Sequence, residues 1–587
     1  MSRIEEILQG YSNGKKDAFK FYGFISPAET DEQYRWASEC GYTHMQLFYA
    51  PYGPERVEKA LELAEKYGLK IVWVGEDFVK EDRPYWNHPC FDGIYVDEPL
   101  SIGDLEKLSN ELIIFQEKYP GKRFYVNTMR TRGRSWEIYA SYFKDNFLKN
   151  AKEKFVSGDI YALREPDANE KTMISFLEDI RNVGQLAADS DSEMYFFVQT
   201  IAMHGEGWSH PARRPSTEDI RFLHYVIASC GASGFAHFCY RSPDRSPNEK
   251  GEFLEEDYAC IHWDGSRTQI WYSVQEVISE FKKFENIFLK FKWKGIMPVH
   301  GAKAETPSEN FKDLSQFISA HSYIKEISAE QDLLIGCFED SDGNVGFTLV
   351  NFSDPYLKKK NPVNLRFNAQ EQIAIVKNGE TEVVSLTDGI YQTVLEPGEG
   401  QFVIIPKSES GNICVEKKKN EVEPVYLIEP KSYCWKEDFA LGNQVDTYNV
   451  YGSGNSHFEF MEAGYPEGGN GRVVRFYSST QRGKDWSSYK LTLPNIPYDA
   501  GKKLVFKMFF TAGGFTVNIS CDYMVRTNRT VSHQTLERYG QWTWVEVPLK
   551  DIAAEGMETL KQVTMCIGNG IPYGTSAYLD EILLCDL

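Results

Sequence analysis

Residues 91–99 read Phe91-Asp92-Gly93-Ile94-Tyr95-Val96-Asp97-Glu98-Pro99. Two adjacent carboxylates close an otherwise apolar strand, and Pro99, which has no backbone N–H to give to a ladder, stops it. Short runs of the same kind, rich in Val, Ile, Phe and Tyr, recur on both sides. They predict strands at 19–26, 43–49, 70–75, 93–97, 123–127, 159–163, 194–199 and 234–240. Charged stretches with helical spacing lie between them. The first, 30–40, opens with the capping signal Thr30-Asp31-Glu32-Gln33, and the second, 54–67, carries Val57, Leu61, Leu63 and Ala64 at helical spacing. Further helices are predicted at 102–118, 136–154, 170–187 and 216–230, with 269–288 after the last strand. Eight strand–helix alternations predict a (β/α)8 barrel over residues 1–292 rather than a six-strand open sheet. No glycine-rich dinucleotide or phosphate loop follows a strand, which disfavours a nucleotide-binding open sheet.

From about residue 331 the pattern changes to short alternating strands separated by Asp-Gly, Asn-Gly and Pro-Gly turns. These runs, 332–339, 345–352, 372–377, 381–385, 389–395 and 400–406, predict a small β-sandwich over 325–407. Residues 408–423, with Lys417-Lys418-Lys419-Asn420, read as a linker. A second all-β unit is expected over 424–587. It resembles the jelly-roll carbohydrate-binding modules, whose chain often ends in a strand such as Tyr578-Leu579-Asp580-Glu581-Ile582.

Composition narrows the partners. The net charge is -21, from 85 acidic and 64 basic residues, and such a surface repels phosphate backbones and anionic lipids. Nucleic acid and membrane are therefore not expected as partners. The 11 cysteines form no CxxC pairs or Cys/His clusters, so neither a disulfide framework nor a zinc site is expected. Aromatic residues make up 14%, enough for large cores and for platforms under sugar rings. The start, Met1-Ser2-Arg3-Ile4-Glu5-Glu6-Ile7-Leu8, is charged and amphipathic, without the basic and apolar regions of a signal peptide, so a cytoplasmic setting is expected.

In a (β/α)8 barrel, chemistry sits at the C-terminal ends of the strands. There a carboxyl that is partly desolvated and beside another acid is fitted to protonate a leaving oxygen. Asp97 and Glu98 meet that requirement. The alternative is a pair of helix caps, since acids also favour the start of the next helix. The strand pattern with its adjacent Asp-Glu and following Pro resembles glycoside hydrolase family 123, the β-N-acetylgalactosaminidases, and the family 20 β-hexosaminidases carry a similar pair. The resemblance implies Glu98 as acid/base and Asp97 as the residue orienting a substrate 2-acetamido group, which itself attacks. It implies a retaining, exo-acting enzyme on a glycan's non-reducing end, with no cofactor. The turn Trp263-Asp264-Gly265-Ser266-Arg267-Thr268-Gln269 looks like the terminal turn of other barrel hydrolases.

The remaining strand ends supply candidate substrate contacts: Tyr49, Glu76, Asn127, Tyr161, Gln199, His237 and Tyr240. Barrel glycosidases of the β-galactosidase type place a nucleophilic Glu at the end of strand seven. Here the residue is Gln199, an amide that cannot attack. Tyr161 is the candidate donor to an acetamido carbonyl. The loop 203–214, with two glycines and Trp208, reads as a long active-site loop, Trp208 facing a sugar. His204 and His210 have no carboxylate or Cys at ligand spacing, so no metal is expected. Two competing readings stand beside the first. One is a β-galactosidase-like or inverting glycosidase with its second carboxylate at Glu76, Glu165 or Glu206. The other is a glycan-binding protein without catalysis.

Overall fold

A computed structural model describes residues 2–14, 17–47, 54–74, 84–97, 99, 102–128, 134–164, 169–203, 212–242, 258–305, 317–368, 370–407, 415–417, 432–439, 445–448, 456–461, 472–478, 487–511, 515–520, 532–536, 542–553, 557–568 and 576–587. They fall into two compact units. The first comprises Met1–Glu98, Glu111–Thr131 and Asn150–Glu421, and the second Pro99–Asn110, Arg132–Lys149 and Val422–Leu587.

The first unit contains a closed barrel of eight parallel strands in sequence order. These are β1 (Lys20–Phe24), β2 (His44–Leu47), β3 (Lys70–Val74), β4 (Phe91–Val96), β5 (Arg123–Thr128), β6 (Phe155–Gly158), β7 (Glu193–Gln199) and β8 (Gly234–Phe238). The expected (β/α)8 barrel is thus present. In chain order the helices up to residue 288 are α1 (Arg3–Asn13), α2 (Asp31–Cys40), α3 (Pro54–Tyr67), α4 (Ile102–Lys118), α5 (Arg134–Tyr142), α6 (Asn169–Ser190), α7 (Thr217–Ser229) and α8 (Gln269–Phe288), of which α5 and residues Ile102–Asn110 of α4 belong to the second unit. Helix α1 was not anticipated. Its capping box, Ser2 with Glu5, satisfies orphan N–H groups at its start. Between β3 and β4 the described residues hold one short 3-10 helix, Pro84–Asn87.

Alternation along the strands separates two layers. Tyr22, Phe24, Tyr95, Tyr125, Phe155, Tyr195 and Phe197 share the barrel's interior. Phe24 lies 5.5 Å from both Phe197 and Phe238, and 6.0 Å from Tyr95, ring centre to ring centre. Gly93 lets β4 and β5 meet: a Cβ there would stand 1.9 Å from the Arg123 carbonyl oxygen.

Strand six differs from expectation. It spans Phe155–Gly158, not 159–163, and the expected helix 136–154 ends early, at Tyr142, followed by a π-helical stretch Phe143–Leu148. The apolar run Ile160-Tyr161-Ala162-Leu163 looked like a strand because Ala162 and Leu163 are fully buried. They are buried as a loop, however. The Leu163 N–H donates to Gln199 Oε1 at 3.3 Å and its carbonyl accepts from the Arg213 N–H at 3.0 Å.

The β-rich region that follows begins earlier than expected, with β9 (Lys292–Val299) directly after α8. A six-stranded antiparallel sheet contains β9, Leu333–Glu339, Val345–Asn351, Gly400–Ile405, Gln372–Lys377 and Glu380–Ser385, and a three-stranded sheet contains Ile324–Ala329, Asn361–Phe367 and Ile390–Leu395. Both contribute to one core, including Ile335, Phe347, Leu365 and Val403. This sandwich docks on α7: the Ser229 hydroxyl meets that of Thr348 at 2.6 Å, and Trp293 Nε1 donates to the Ser229 carbonyl at 2.9 Å.

In the second unit two antiparallel sheets share a core containing Phe476, Tyr489, Phe506, Met565 and Leu579. Among the described residues no helix is long and apolar enough to cross a membrane.

Candidate active site

Strand β4 carries an acid near each end. Asp92, its second residue, lies toward the N-terminal face, where it accepts a hydrogen bond from the Tyr125 hydroxyl and stands 3.8 Å from His44. Polar contacts at that end of a barrel serve stability rather than chemistry. Asp97, the first residue after the strand, lies at the C-terminal mouth.

Three strands build the centre of that mouth. Asn127, on β5, is 1% exposed. Its Nδ2 donates to Asp97 Oδ1 at 3.2 Å and to Asp159 Oδ1 at 2.9 Å, Asp159 being the first residue after β6. Ser157, the register partner of Asn127 on β6, stands 3.0 Å from its Oδ1. A carboxylate donates nothing, so two carboxylates on one side require the NH2 group to face them. With one hydrogen to each carboxylate, a planar amide NH2 serves acceptor oxygens about 5 Å apart.

Two tyrosines complete the arrangement. The Tyr95 hydroxyl donates to Asp97 Oδ1 at 3.0 Å. Burial first, and then the Asp97 charge, push its pKa well above the ordinary phenol value, so it stays a donor. Tyr161 lies beside Asp159: burial first, and then the carboxylate's charge, raise the pKa of its hydroxyl well above the ordinary phenol value. The Tyr161 ring packs on Phe238 with centres 5.0 Å apart. Asp97 itself is exposed and Asp159 half-buried, so the pair faces solvent from an aromatic bed.

Of the expected residues, the structure therefore brings Asp97, Asn127 and Tyr161 together. Three others are elsewhere, contrary to expectation. His237 is fully buried with its Nε2 3.2 Å from that of His224 on α7, because alternation turns it outward from the barrel. Tyr240 is fully buried outside the barrel, edge-on to Tyr42. Gln199 is 1% exposed, and its amide is taken up by backbone: Leu163 N–H, Ile201 carbonyl and Arg213 carbonyl. Tyr49, Glu76, Glu98 and Trp208 lie outside the described residues, as do Glu165, Glu206, His204 and His210.

Asp159 was missed. Placing strand six four residues late put Asp159 at the strand's start, on the wrong face of the barrel. The signal was there: Phe155-Val156-Ser157-Gly158-Asp159 is a short run closed by an acid, as in β4. Among the described residues no group of three or more His, Cys, Asp or Glu is placed to hold a metal ion.

No protein-family model matches the chain, and no curated protein matches it. Solved structures overlap it loosely. A family 27 β-L-arabinopyranosidase from Geobacillus stearothermophilus has 9% identity and a TM-score of 0.39, covering 69% of this chain and 99% of its own. A family 30 endoxylanase from Clostridium papyrosolvens has 9% identity and a TM-score of 0.35, covering 67% and 97%. An endo-β-1,4-mannanase from Thermotoga petrophila has 13% identity and a TM-score of 0.31, covering 69% and 98%. Overlaps this loose carry no activity across, and the chemistry rests on the side chains above.

Proposed function

We propose that the chain is a glycoside hydrolase working at the barrel mouth, with Asp97 and Asp159 as its two catalytic carboxylates. The observation that carries the reading is their shared donor, Asn127, which sets them about 5 Å apart, the separation of retaining rather than inverting glycosidases. In that chemistry one carboxyl protonates the glycosidic oxygen while the other attacks the anomeric carbon. Water then releases the sugar, with the first group acting as base. Tyr95 and Tyr161 hold the two groups in place, and the Tyr161–Phe238 surface offers an apolar wall to a sugar's C–H face.

A second reading keeps the family 123 likeness: an exo-β-N-acetylgalactosaminidase with Glu98 as acid/base and Asp97 orienting the acetamido group. In its favour, both described donors on Asp97 meet Oδ1, which leaves Oδ2 for an acetamido N–H. Against it, the Tyr161 hydroxyl lies beside a second carboxylate, Asp159, for which that mechanism has no use.

Proton NMR of the first sugar released from a panel of aryl glycosides, with and without a 2-acetamido group, tests both. Retention on 2-hydroxy glycosides supports the first reading. Turnover confined to 2-acetamido sugars supports the second, and inversion or no turnover contradicts both.

A further inference from the structure

We propose that Arg213 is a positioning residue, through which Asp354 of the β-sandwich holds the loop bearing Asp159 and Tyr161. This rests on the reading of Asp159 as a catalytic carboxylate. Arg213 follows the isolated bridge between Met203 and Ala212 in the β7–α7 connection, and it is 6% exposed. Its guanidinium reaches three separate pieces of chain. Nη1 donates to the Arg164 carbonyl at 2.7 Å and to Asp354 Oδ2 at 3.2 Å, and Nη2 donates to Asp354 Oδ1 at 2.5 Å and to Asp219 Oδ1 at 2.7 Å.

Each partner is itself fixed. Asp219 completes the capping box of α7 with Ser216. Asp354 caps the 3-10 turn Pro355–Leu357, accepting the Tyr356 N–H at 3.1 Å, and the Tyr356 ring lies 5.5 Å from the guanidinium carbon. The fork geometry of Arg is what makes simultaneous engagement of both carboxylates and a carbonyl possible; a point-charge ammonium has no such planar spread.

The element being held is the loop after β6. The Arg213 N–H donates to the Leu163 carbonyl at 3.0 Å, the side chain takes the Arg164 carbonyl, and Gln199 bridges the Leu163 N–H at 3.3 Å and the Arg213 carbonyl at 2.9 Å. Asp159 and Tyr161 lie within five residues upstream of Arg164 on the same loop. Strand β6 is only four residues long, and upstream of this clamp the described contacts on the loop are Asn127 on Asp159 and Phe238 on Tyr161. The sandwich therefore acts on the barrel chemistry through one buried ion cluster, without touching substrate.

The test uses the full chain carrying Asp354→Asn, which keeps shape and leaves Arg213 paired with Asp219. Hydrogen exchange over residues 159–164 and 345–351 is read beside kcat and KM. The expected result is faster exchange confined to 159–164 and a kcat lower by about 10²-fold, with little change in KM, as for a displaced catalytic group. Unchanged exchange at 159–164, or unchanged kcat in a variant whose exchange has risen, overturns the proposal. If Asp354→Asn does not fold, Arg213→Lys, which keeps the charge and loses the fork, is read in the same way. Absence of glycosidase activity in the unmodified chain would instead remove the functional reading, and the exchange measurement would still test the clamp.

Discussion

Asp97 and Asp159 are held by one and the same amide nitrogen, 3.2 Å from an oxygen of the first and 2.9 Å from an oxygen of the second. Two negative charges about 5 Å apart repel by about 3 kcal/mol at an effective dielectric of about 20. A shared donor offsets part of that and fixes the spacing on which the proposed chemistry depends.

Asn127→Ala removes both hydrogen bonds at once. Each bond to a charged acceptor contributes about 1.5–3 kcal/mol, so kcat should fall by at least about 10²-fold while the fold, read by circular dichroism, is kept. Asn127→Asp should be worse than Asn127→Ala, because it adds a third acid where a donor is needed. Steady-state kinetics of the two variants checks the order; Asn127→Asp matching the unmodified chain would contradict it.

Tyr95→Phe and Tyr161→Phe each remove one donor and keep the ring. The expected loss in kcat is about 10-fold for either, corresponding to about 1.4 kcal/mol. The two carboxylates share the donor Asn127, so a double variant measured against both singles should depart from additivity by about 0.5–3 kcal/mol; strictly additive losses would contradict a coupled pair.

The barrel was legible in the sequence because strand ends there are marked by chemistry. β4 stops at Asp97-Glu98-Pro99, and β5 ends in Asn127-Thr128 after an apolar run. Strand six was not legible, since its own run is four residues and the loop beyond it is the more apolar. Burial of Ala162 and Leu163 under the β7 loop is a tertiary fact that local pattern cannot separate from strand burial. The same limit applies to His237 and Gln199. Their positions in β8 and β7 were read correctly, but whether a side chain near a strand end faces the barrel's interior, its helices or the adjoining loops depends on register, and an error of one residue reverses it.

The pair His224 and His237 predicts a pH response of stability. His224 Nδ1 is 2.8 Å from the Ile220 carbonyl, so it carries the proton; His237 Nε2–H then donates to His224 Nε2, and both rings are neutral. Burial lowers the pKa of His224 to about 4 and that of His237 well below its ordinary value. A folded-state value below the unfolded one means the unfolded chain takes up the proton first. The stability contribution is full above about pH 6.5 and is lost as pH falls toward about 4, by up to about 1.4 kcal/mol per pH unit for each such histidine. Urea midpoints between about pH 7 and about pH 5 should fall, and less steeply in His224→Gln; equal slopes would contradict this assignment.

Gly93→Ala tests the close approach of β4 and β5. The added methyl would meet the Arg123 backbone oxygen at 1.9 Å, and backbone cannot swing away as a side chain can. A loss of more than about 4 kcal/mol is expected, enough to remove most of a domain's stability. A thermal midpoint within a few degrees of the parent would show that the two strands are farther apart than described.

The central claim, that Asp97 and Asp159 together cleave a glycosidic bond, is tested most directly by kcat/KM of Asp97→Asn and Asp159→Asn on whichever aryl glycoside the unmodified chain hydrolyses. Both substitutions keep volume and one acceptor oxygen, and replace the other with an NH2 that can neither attack nor transfer a proton. The account predicts that each loses about 10²–10⁴-fold or more with an unchanged thermal midpoint. Full activity in Asp159→Asn would contradict it and return the chemistry to Asp97 with Glu98.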